Sequence, residues 1–150
     1  FVPRGRARGD ARLRLAPVHL IVDVMNVIGS RPDGWWRDRP AAAQRLVARL
    51  RRLAAERGDE VVAVLDGRPL PGLPEGEGGG VRVLYGDGCG PNAADRRIVE
   101  FVESAAAPRA WTVVTSDAAL AHAVRALGAS VEGARALRER LDALGDASGI

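Results

Sequence analysis

Lysine is absent from the 150-residue chain; all 22 basic residues are arginine. The absence excludes a phosphate-binding loop, which needs Gly-Lys, and Schiff-base chemistry, which needs a side-chain amine. Cys89 is the single cysteine, so no intramolecular disulfide can form. With only two histidines beside it, the ligands for a conventional structural zinc site are too few. Aromatic residues are scarce while alanine occurs 26 times, so an aliphatic core with small residues at helix contacts is expected. No apolar run approaches the roughly 20 residues of a membrane span. The Arg-rich start is followed by too short an apolar run for a secretory signal. The expectation is a cytoplasmic protein with no membrane partner.

What is present points to one domain of ordinary size. A formal net charge of +3 permits a polyanionic partner without requiring one, and a codon preference for arginine explains the excess equally well. Residues 1–17 carry Arg4, Arg6, Arg8, Arg12 and Arg14 among Gly, Ala and Pro. They read as a flexible basic N-terminal arm, in which Val2-Pro3-Arg4-Gly5 resembles a protease-cleavage remnant. Residues 18–150 read as a single domain.

Short runs rich in Val, Ile and Leu predict strands at Val18 to Val24, Val61 to Leu65, Val81 to Tyr85 and Trp111 to Thr115, with a weaker one at Ala129 to Glu132. They are continuously apolar, as strands covered on both faces are. Helical spacing predicts helices from Pro40 to about Arg57, Ala93 to Ala107, Asp117 to Leu127 and around Leu137, Leu141 and Leu144, with Gly58, Gly128 and Gly145 as stops. Strands alternating with helices indicate an α/β three-layer sandwich around a parallel sheet of about five strands. The Gly- and Pro-rich "GRPLPGLPEGEGGG" between two of the strands is expected to be a mobile surface loop.

Acids interrupt this pattern. In "HLIVDVMNVIGS", Asp23 follows a buried run; Asp66 closes "VVAVLD"; Asp117 follows "WTVVTS". In an open parallel sheet the carboxyl ends share one edge, where ligands bind. Asp95 lies three, four and seven residues before Ile98, Val99 and Val102, on the stripe that faces the core. Clustered carboxylates repel, and the resolution is either protonation or a divalent cation. Hard oxygen ligands suit Mg²⁺ or Mn²⁺, with Asn26, Thr115 and Ser116 able to orient the acids or a metal-bound water. Each acid taken alone has a structural explanation: Asp117 or Ser116 could cap a helix, as could Asp95 or Asn92, and Asp66-Gly67 is an ordinary turn pair. Asp23 resists that explanation, because no helix obviously begins there.

The segments "IVDVMNVIG", "VVAVLDG", "NAADRRIVEFV" and "WTVVTSDAALAHAVRALGASV" resemble the PIN-like nuclease superfamily, and within it the NYN domains of the YacP-like type. The resemblance runs from about Val18 to Leu144. It implies a five-stranded parallel sheet and a metal-dependent ribonuclease that hydrolyses RNA phosphodiester bonds. It also implies that Asp23, Asp95 and Asp117 bind one or two Mg²⁺ or Mn²⁺ ions, with Asp66 nearby and Asn26 in the family's amide position. Val24 and Met25 stand where relatives often have Gly and an aromatic residue, and Arg96 where they often carry a polar or acidic one.

In "DGWWRDRP", Trp35 and Trp36 lie amid Arg31, Arg37 and Arg39 and could stack on bases or pack a loop. Arg45, Arg49 and Arg52 fall on one helical stripe, either a solvated face or a track for RNA; Arg96 joins the candidate RNA contacts. Asp38 is either a helix cap or a neighbour of the acidic edge. His19 and His122 would make a metal-free acid–base pair only if brought together, and surface positions are expected for both. Cys89, in a turn, is expected to be inert. A haloacid-dehalogenase-type phosphatase needs a second acid where Met25 stands, and also a lysine. A receiver domain lacks the same lysine, and "DVMNVIG" is no dinucleotide-binding turn. The strongest rival is a catalytically silent RNA-binding or assembly module of the same fold. A homodimer is left open.

Overall fold

Apolar runs of four to six residues lie side by side as strands, and the residues between them close over both faces. The structure, a computed structural model, describes residues 18–86 and 92–144. The expected arm at 1–17, Cys89 and Gly145 lie outside the described residues. The sheet comprises β1 (His19–Asp23), β2 (Glu60–Leu65), β3 (Gly76–Gly78), β4 (Val81–Tyr85), β5 (Trp111–Val114) and β6 (Ser130–Glu132), in the spatial order β3-β4-β2-β1-β5-β6. Every neighbouring pair is parallel except β3 with β4. The helices are α1 (Val24–Gly29), α2 (Arg39–Arg57), α3 (Ala93–Ser104), α4 (Ala118–Ala126) and α5 (Ala134–Asp142).

Side-chain alternation along each strand divides the core in two. Leu20, Val22, Val61, Ala63, Val81 and Val83 pack with α1, α2 and α5. Ile21, Val62, Val64, Leu84 and Val113 pack with Ile98 and Val102 of α3 and Leu120 and Val124 of α4. This is the three-layer α/β sandwich expected. Caps set the helix ends. Asp38 accepts the Ala41 N–H at 3.1 Å with Pro40 in the first turn of α2, and Gly58 closes that helix in the left-handed conformation at φ 73°.

Two expectations need correction. The expected parallel sheet of about five strands is present as β4-β2-β1-β5-β6, but Gly76–Gly78 adds an antiparallel edge strand beside β4, inside the segment expected to be a mobile surface loop. Gly-Glu-Gly has no strand propensity of its own. Backbone pairing holds it, and Arg51 Nε donates to the Gly78 carbonyl at 3.0 Å. The rest of that segment is pinned as well. The Tyr85 hydroxyl accepts the Leu70 N–H at 3.0 Å and donates to the Leu73 carbonyl at 2.6 Å, and Leu73 is buried in the core. Second, the first strand ends at Asp23, and the chain turns at once into α1, whose Val24, Val27 and Ile28 are buried. β-branched residues favour extended chain, but burial of this one face outweighs that weak preference.

Gly86, at the carboxyl end of β4, fixes the start of α3. Its N–H donates to the Leu65 carbonyl at 2.8 Å. A Cβ there would lie 2.6 Å from the Ala93 carbonyl carbon and 2.7 Å from the Ala93 Cβ. Gly86→Ala is therefore expected to push α3 off the sheet and cost about 1–3 kcal/mol, read as a lowered urea midpoint. An unmoved midpoint would show that α3 has slack at this point.

Candidate active site

The strand order places β1 between β2 and β5, and the chain reaches β5 only after building β2, β3 and β4 on the other side. That reversal opens a crevice at the carboxyl ends of β1 and β5. Asp23 lies on one side of it, and the segment Thr115 to Asp117 on the other. The strand pleat then selects the face. Asp23 is two residues past Ile21, Asp66 two past Val64, and Thr115 two past Val113, and all three predecessors face α3 and α4. The polar residues thus continue the core-facing register beyond the last apolar layer.

Asp23 is only 5% exposed. Its Oδ2 accepts the Thr115 Oγ1–H at 2.9 Å, and Thr115 Oγ1 in turn accepts the Asp117 N–H at 3.1 Å. One hydroxyl therefore links the first acid to the last. Although Asp23 immediately precedes α1, its side chain makes no capping hydrogen bond. The Asn26 amide lies near enough to ease the charge, short of capping geometry. The Asn26 side chain reaches across the crevice, its Oδ1 accepting the Ser116 N–H at 2.8 Å. Ser116 Oγ accepts the Ala134 N–H at 3.3 Å, which ties the start of α5 to the same edge.

Asp66 and Asp117 each fix a helix start. Asp66 Oδ1 accepts the Ala94 N–H at 2.9 Å, and Asp117 Oδ1 accepts the Leu120 N–H at 2.9 Å. Asp117 is thus the cap that sequence allowed. Asp66 does more than form a turn, anchoring the first turn of α3 from across the loop. Asp95 lies in that same first turn and is half-buried. Asn92 holds the cap position but donates and accepts no capping bond through its side chain.

Neighbouring acids bear on Asp23 and on Asp95. Burial pushes the Asp23 carboxyl up to about 6 from an ordinary 3.8; the Thr115 hydroxyl pulls it back, while Asp95 and Asp66 raise it further. Asp95 is also raised, first by burial and then by Asp117 and Asp66, with Arg96 opposing. Among the described residues, no three His, Cys, Asp or Glu side chains are gathered into a ready-made metal cage. Asp23, Asp95 and Asp117 therefore do not form a preassembled three-ligand site. The donors still fit a hard cation. Mg²⁺ keeps several waters and takes one or two protein carboxylates with substrate phosphates completing its shell. A closed tetrahedral zinc site is the arrangement they do not fit.

Other candidates fall elsewhere. Trp35 packs against the core, whereas Trp36 is 53% exposed with the Arg37 guanidinium 5.9 Å from its ring centre. Arg39 opens α2 and is exposed, as is Arg45. Arg49 pairs with Asp142 at 3.0 Å, and Arg52 with Glu56 at 2.7 Å and the Leu144 carbonyl at 2.6 Å, so this part of the stripe ties α2 to α5. Arg96 is exposed beside Asp95. His19 bonds Glu60 at the strand end opposite the acids, and His122 is exposed on α4, so the two do not meet. Sequence reasoning missed Glu132, which ends β6 and pairs with Arg140 at 2.6 Å. Its place at a strand's carboxyl end was the available signal.

The model of the YacP-like NYN domain matches residues 20–148, and the chain belongs to that family, whose fold is that of the PIN-like nucleases. The chain is similar to the crystal structure of Rae1 (YacP) from Bacillus subtilis, with a TM-score of 0.66, 25% identity, and coverage of 83% of this chain and 73% of that one. A tryptophan-to-leucine mutant of the same Bacillus subtilis protein gives a TM-score of 0.65 at 24% identity, covering 84% of this chain and 76% of that one. No curated protein matches.

The raised Asp23 carboxyl makes a prediction about stability. Its folded pKa of about 6 exceeds the ordinary 3.8, so its favourable contribution is complete below 3.8 and is lost as pH rises through about 6. In chelator at pH 8, Asp23→Asn is expected to stabilise the fold by up to about 3 kcal/mol, and at pH 4 to change it little. Urea unfolding at both pH values checks this. Added Mn²⁺ should raise the pH 8 midpoint of the wild type and leave that of Asp23→Asn unmoved.

Proposed function

We propose that this YacP-like NYN chain is a metal-dependent endoribonuclease, with residues 18–150 as one nuclease domain, cutting RNA at the rim where β1, β2 and β5 end. One observation carries the reading. A buried carboxylate at the central strand's end is opposed by the charges of Asp95 and Asp66, and Asp95 in turn by Asp117, in a fold whose ligands bind at that edge. Such an arrangement stores unfavourable charge that a cation and a phosphate would relieve.

The roles follow from the hydrogen bonds. Asp23, with Asp95 or Asp117, would hold Mg²⁺ or Mn²⁺. When bound, that ion would lower the pKa of water at the site and offset negative charge on the phosphate. Thr115 keeps Asp23 Oδ2 oriented. Asn26 and Ser116 hold the two sides of the crevice at a fixed separation through their 2.8 Å bond. Asp66 commits Oδ1 to the Ala94 N–H, leaving Oδ2 to accept the attacking water's proton or to share a second ion. Exposed Trp36 offers a face on which a base can stack, and Arg37, Arg39 and Arg45 offer charge to flanking phosphates, with Arg49 and Arg96 available only by giving up partners they already hold.

The lack of a ready-made cage among the described residues favours one other reading, an RNA-binding module that does no chemistry. A single assay separates them. Labelled single-stranded RNA with Mn²⁺ is expected to be cut by the wild type and spared in chelator. Asp23→Asn and Asp117→Asn should each slow cleavage about 100-fold or more while unfolding cooperatively. RNA retained but uncut by the wild type with Mn²⁺ would establish the binding module instead. Trp36→Ala is expected to weaken RNA affinity about tenfold, as loss of one stacked base does, measured by fluorescence anisotropy.

A further inference from the structure

Beyond β2 the chain crosses from one face of the sheet to the other, and an arginine stands in the crossing. Asp66 engages the α3 side, since its Oδ1 accepts the Ala94 N–H. Four residues later Leu70 packs with the opposite core, the one that holds α1 and α2. The backbone between them passes over the strand ends and carries Gly67, Arg68 and Pro69. Two residues span at most about 7 Å, so the Arg68 Cα lies within that distance of the Asp66 Cα. Val64, the register partner of Asp23 on β2, is only four residues before Arg68.

The crossing is held at both ends. Asp66 ties it to α3, and the Leu70 N–H donates to the Tyr85 hydroxyl at 3.0 Å. The same hydroxyl holds the Leu73 carbonyl, and the Gln44 amide of α2 donates to the Pro71 carbonyl. Gly72, at φ 77°, lets the chain lie this close to α2: a Cβ there would be 2.9 Å from Gln44 Nε2. Pro69 restricts the Arg68 backbone to extended conformations. The side chain, by contrast, is uncommitted. Arg49, Arg138 and Arg140 are engaged by Asp142, Ser30 and Glu132. Arg68 is exposed and, among the described residues, has neither a hydrogen bond nor an ion pair.

We propose that Arg68 binds the RNA phosphate that flanks the one at the acids, and so directs the strand over the α2 side of the sheet toward Trp36. A guanidinium is a planar fork of donors that meets two phosphate oxygens at once. Ordering a loop on binding ordinarily opposes affinity, and here the backbone that carries the fork is already fixed. Trp35 packs against the same core as Leu70 and Leu73, so its neighbour Trp36, with its exposed ring, lies on that side of the sheet. A phosphate on Arg68 and a base on Trp36 then define one path. The inference takes its ligand from the ribonuclease reading above and adds to it a contact and a direction.

The test reads phosphate binding apart from cleavage. Labelled single-stranded RNA is titrated in chelator, and log Kd is followed against log salt from about 50 to 200 mM. Arg68→Ala, at an exposed and unbonded position, is expected to flatten the slope by about 0.7, the value for one phosphate on a single strand. The same loss raises Kd about fivefold at 0.1 M salt. Arg68→Lys should keep the slope. Arg109→Ala removes the same charge from an exposed position just before β5, at the edge opposite the acids, and should change neither slope nor Kd. Tyr85→Phe releases the loop without touching its charge. It should raise Kd in the wild type and add nothing in Arg68→Ala. A slope unmoved by Arg68→Ala, an equal change in Arg109→Ala, or a Tyr85→Phe loss that persists in Arg68→Ala would overturn the proposal. RNA left unbound in chelator would overturn it as well. A slope flattened by Arg68→Ala, with RNA left uncut by the wild type in Mn²⁺, would sustain Arg68 and sink the ribonuclease reading. Cleavage in Mn²⁺ with the slope unmoved would do the reverse.

Discussion

The arrangement of this protein turns on one buried carboxylate. Asp23 ends the central strand with almost no exposure, and its charge has only the Thr115 hydroxyl and the Asn26 backbone amide to ease it. A group in that position would ordinarily be replaced by an apolar residue, because desolvation costs several kcal/mol per ion. Its surroundings oppose it further, since Asp66 and Asp95 push its carboxyl in the same direction as burial does. The fold therefore carries a local destabilisation that other parts of the molecule must outweigh. The two aliphatic cores do so, one on each face of a sheet whose central strand is covered on both sides.

The same polar atoms serve both the fold and the edge. Asp66 and Asp117 anchor the first turns of α3 and α4, so the helices that bury Ile98, Val102, Leu120 and Val124 are positioned by the acids themselves. In return, the N-terminal ends of those helices direct partial positive charge toward the cluster. Capping and chemistry are not competing explanations for these residues. A carboxylate with one oxygen committed to a helix amide is held in place, and its second oxygen keeps a fixed direction. Thr115 extends this economy, joining Asp23 to the Asp117 amide through one hydroxyl.

Much of this was readable from the chain. Continuous Val, Ile and Leu runs located the parallel strands, and Pro40 and Gly58 bracketed α2 to within a residue. The acids stood out because they broke apolar runs at strand ends. What escaped was decided by tertiary context. Gly76–Gly78 has no side-chain pattern to detect and is a strand only because β4 and Arg51 hold it. α1 carries strand-forming residues and is helical because its Val24, Val27 and Ile28 face a core built from distant segments. The pinning of the Gly- and Pro-rich segment depends on Tyr85, twelve residues beyond Leu73, and on the buried Leu73 itself. Nor could spacing say that the aspartates would interact without closing into a cage.

That last difference bears on what the edge can bind. A preformed cage would hold a cation tightly with or without substrate. Acids that repel one another, each tethered separately to β1, α3 or α4, have a weaker hold, and the missing ligands must come from water and phosphate. Under the proposed function, ion and nucleic acid would bind cooperatively, since each supplies the charge that the other needs. The tethering sets how far the acids can adjust. Asp23 and Asp117 are joined through Thr115, and Asp66 is fixed to the same helical turn that carries Asp95. The polar tethers thus group the acids into two pairs, on a crevice that Asn26 and Ser116 span.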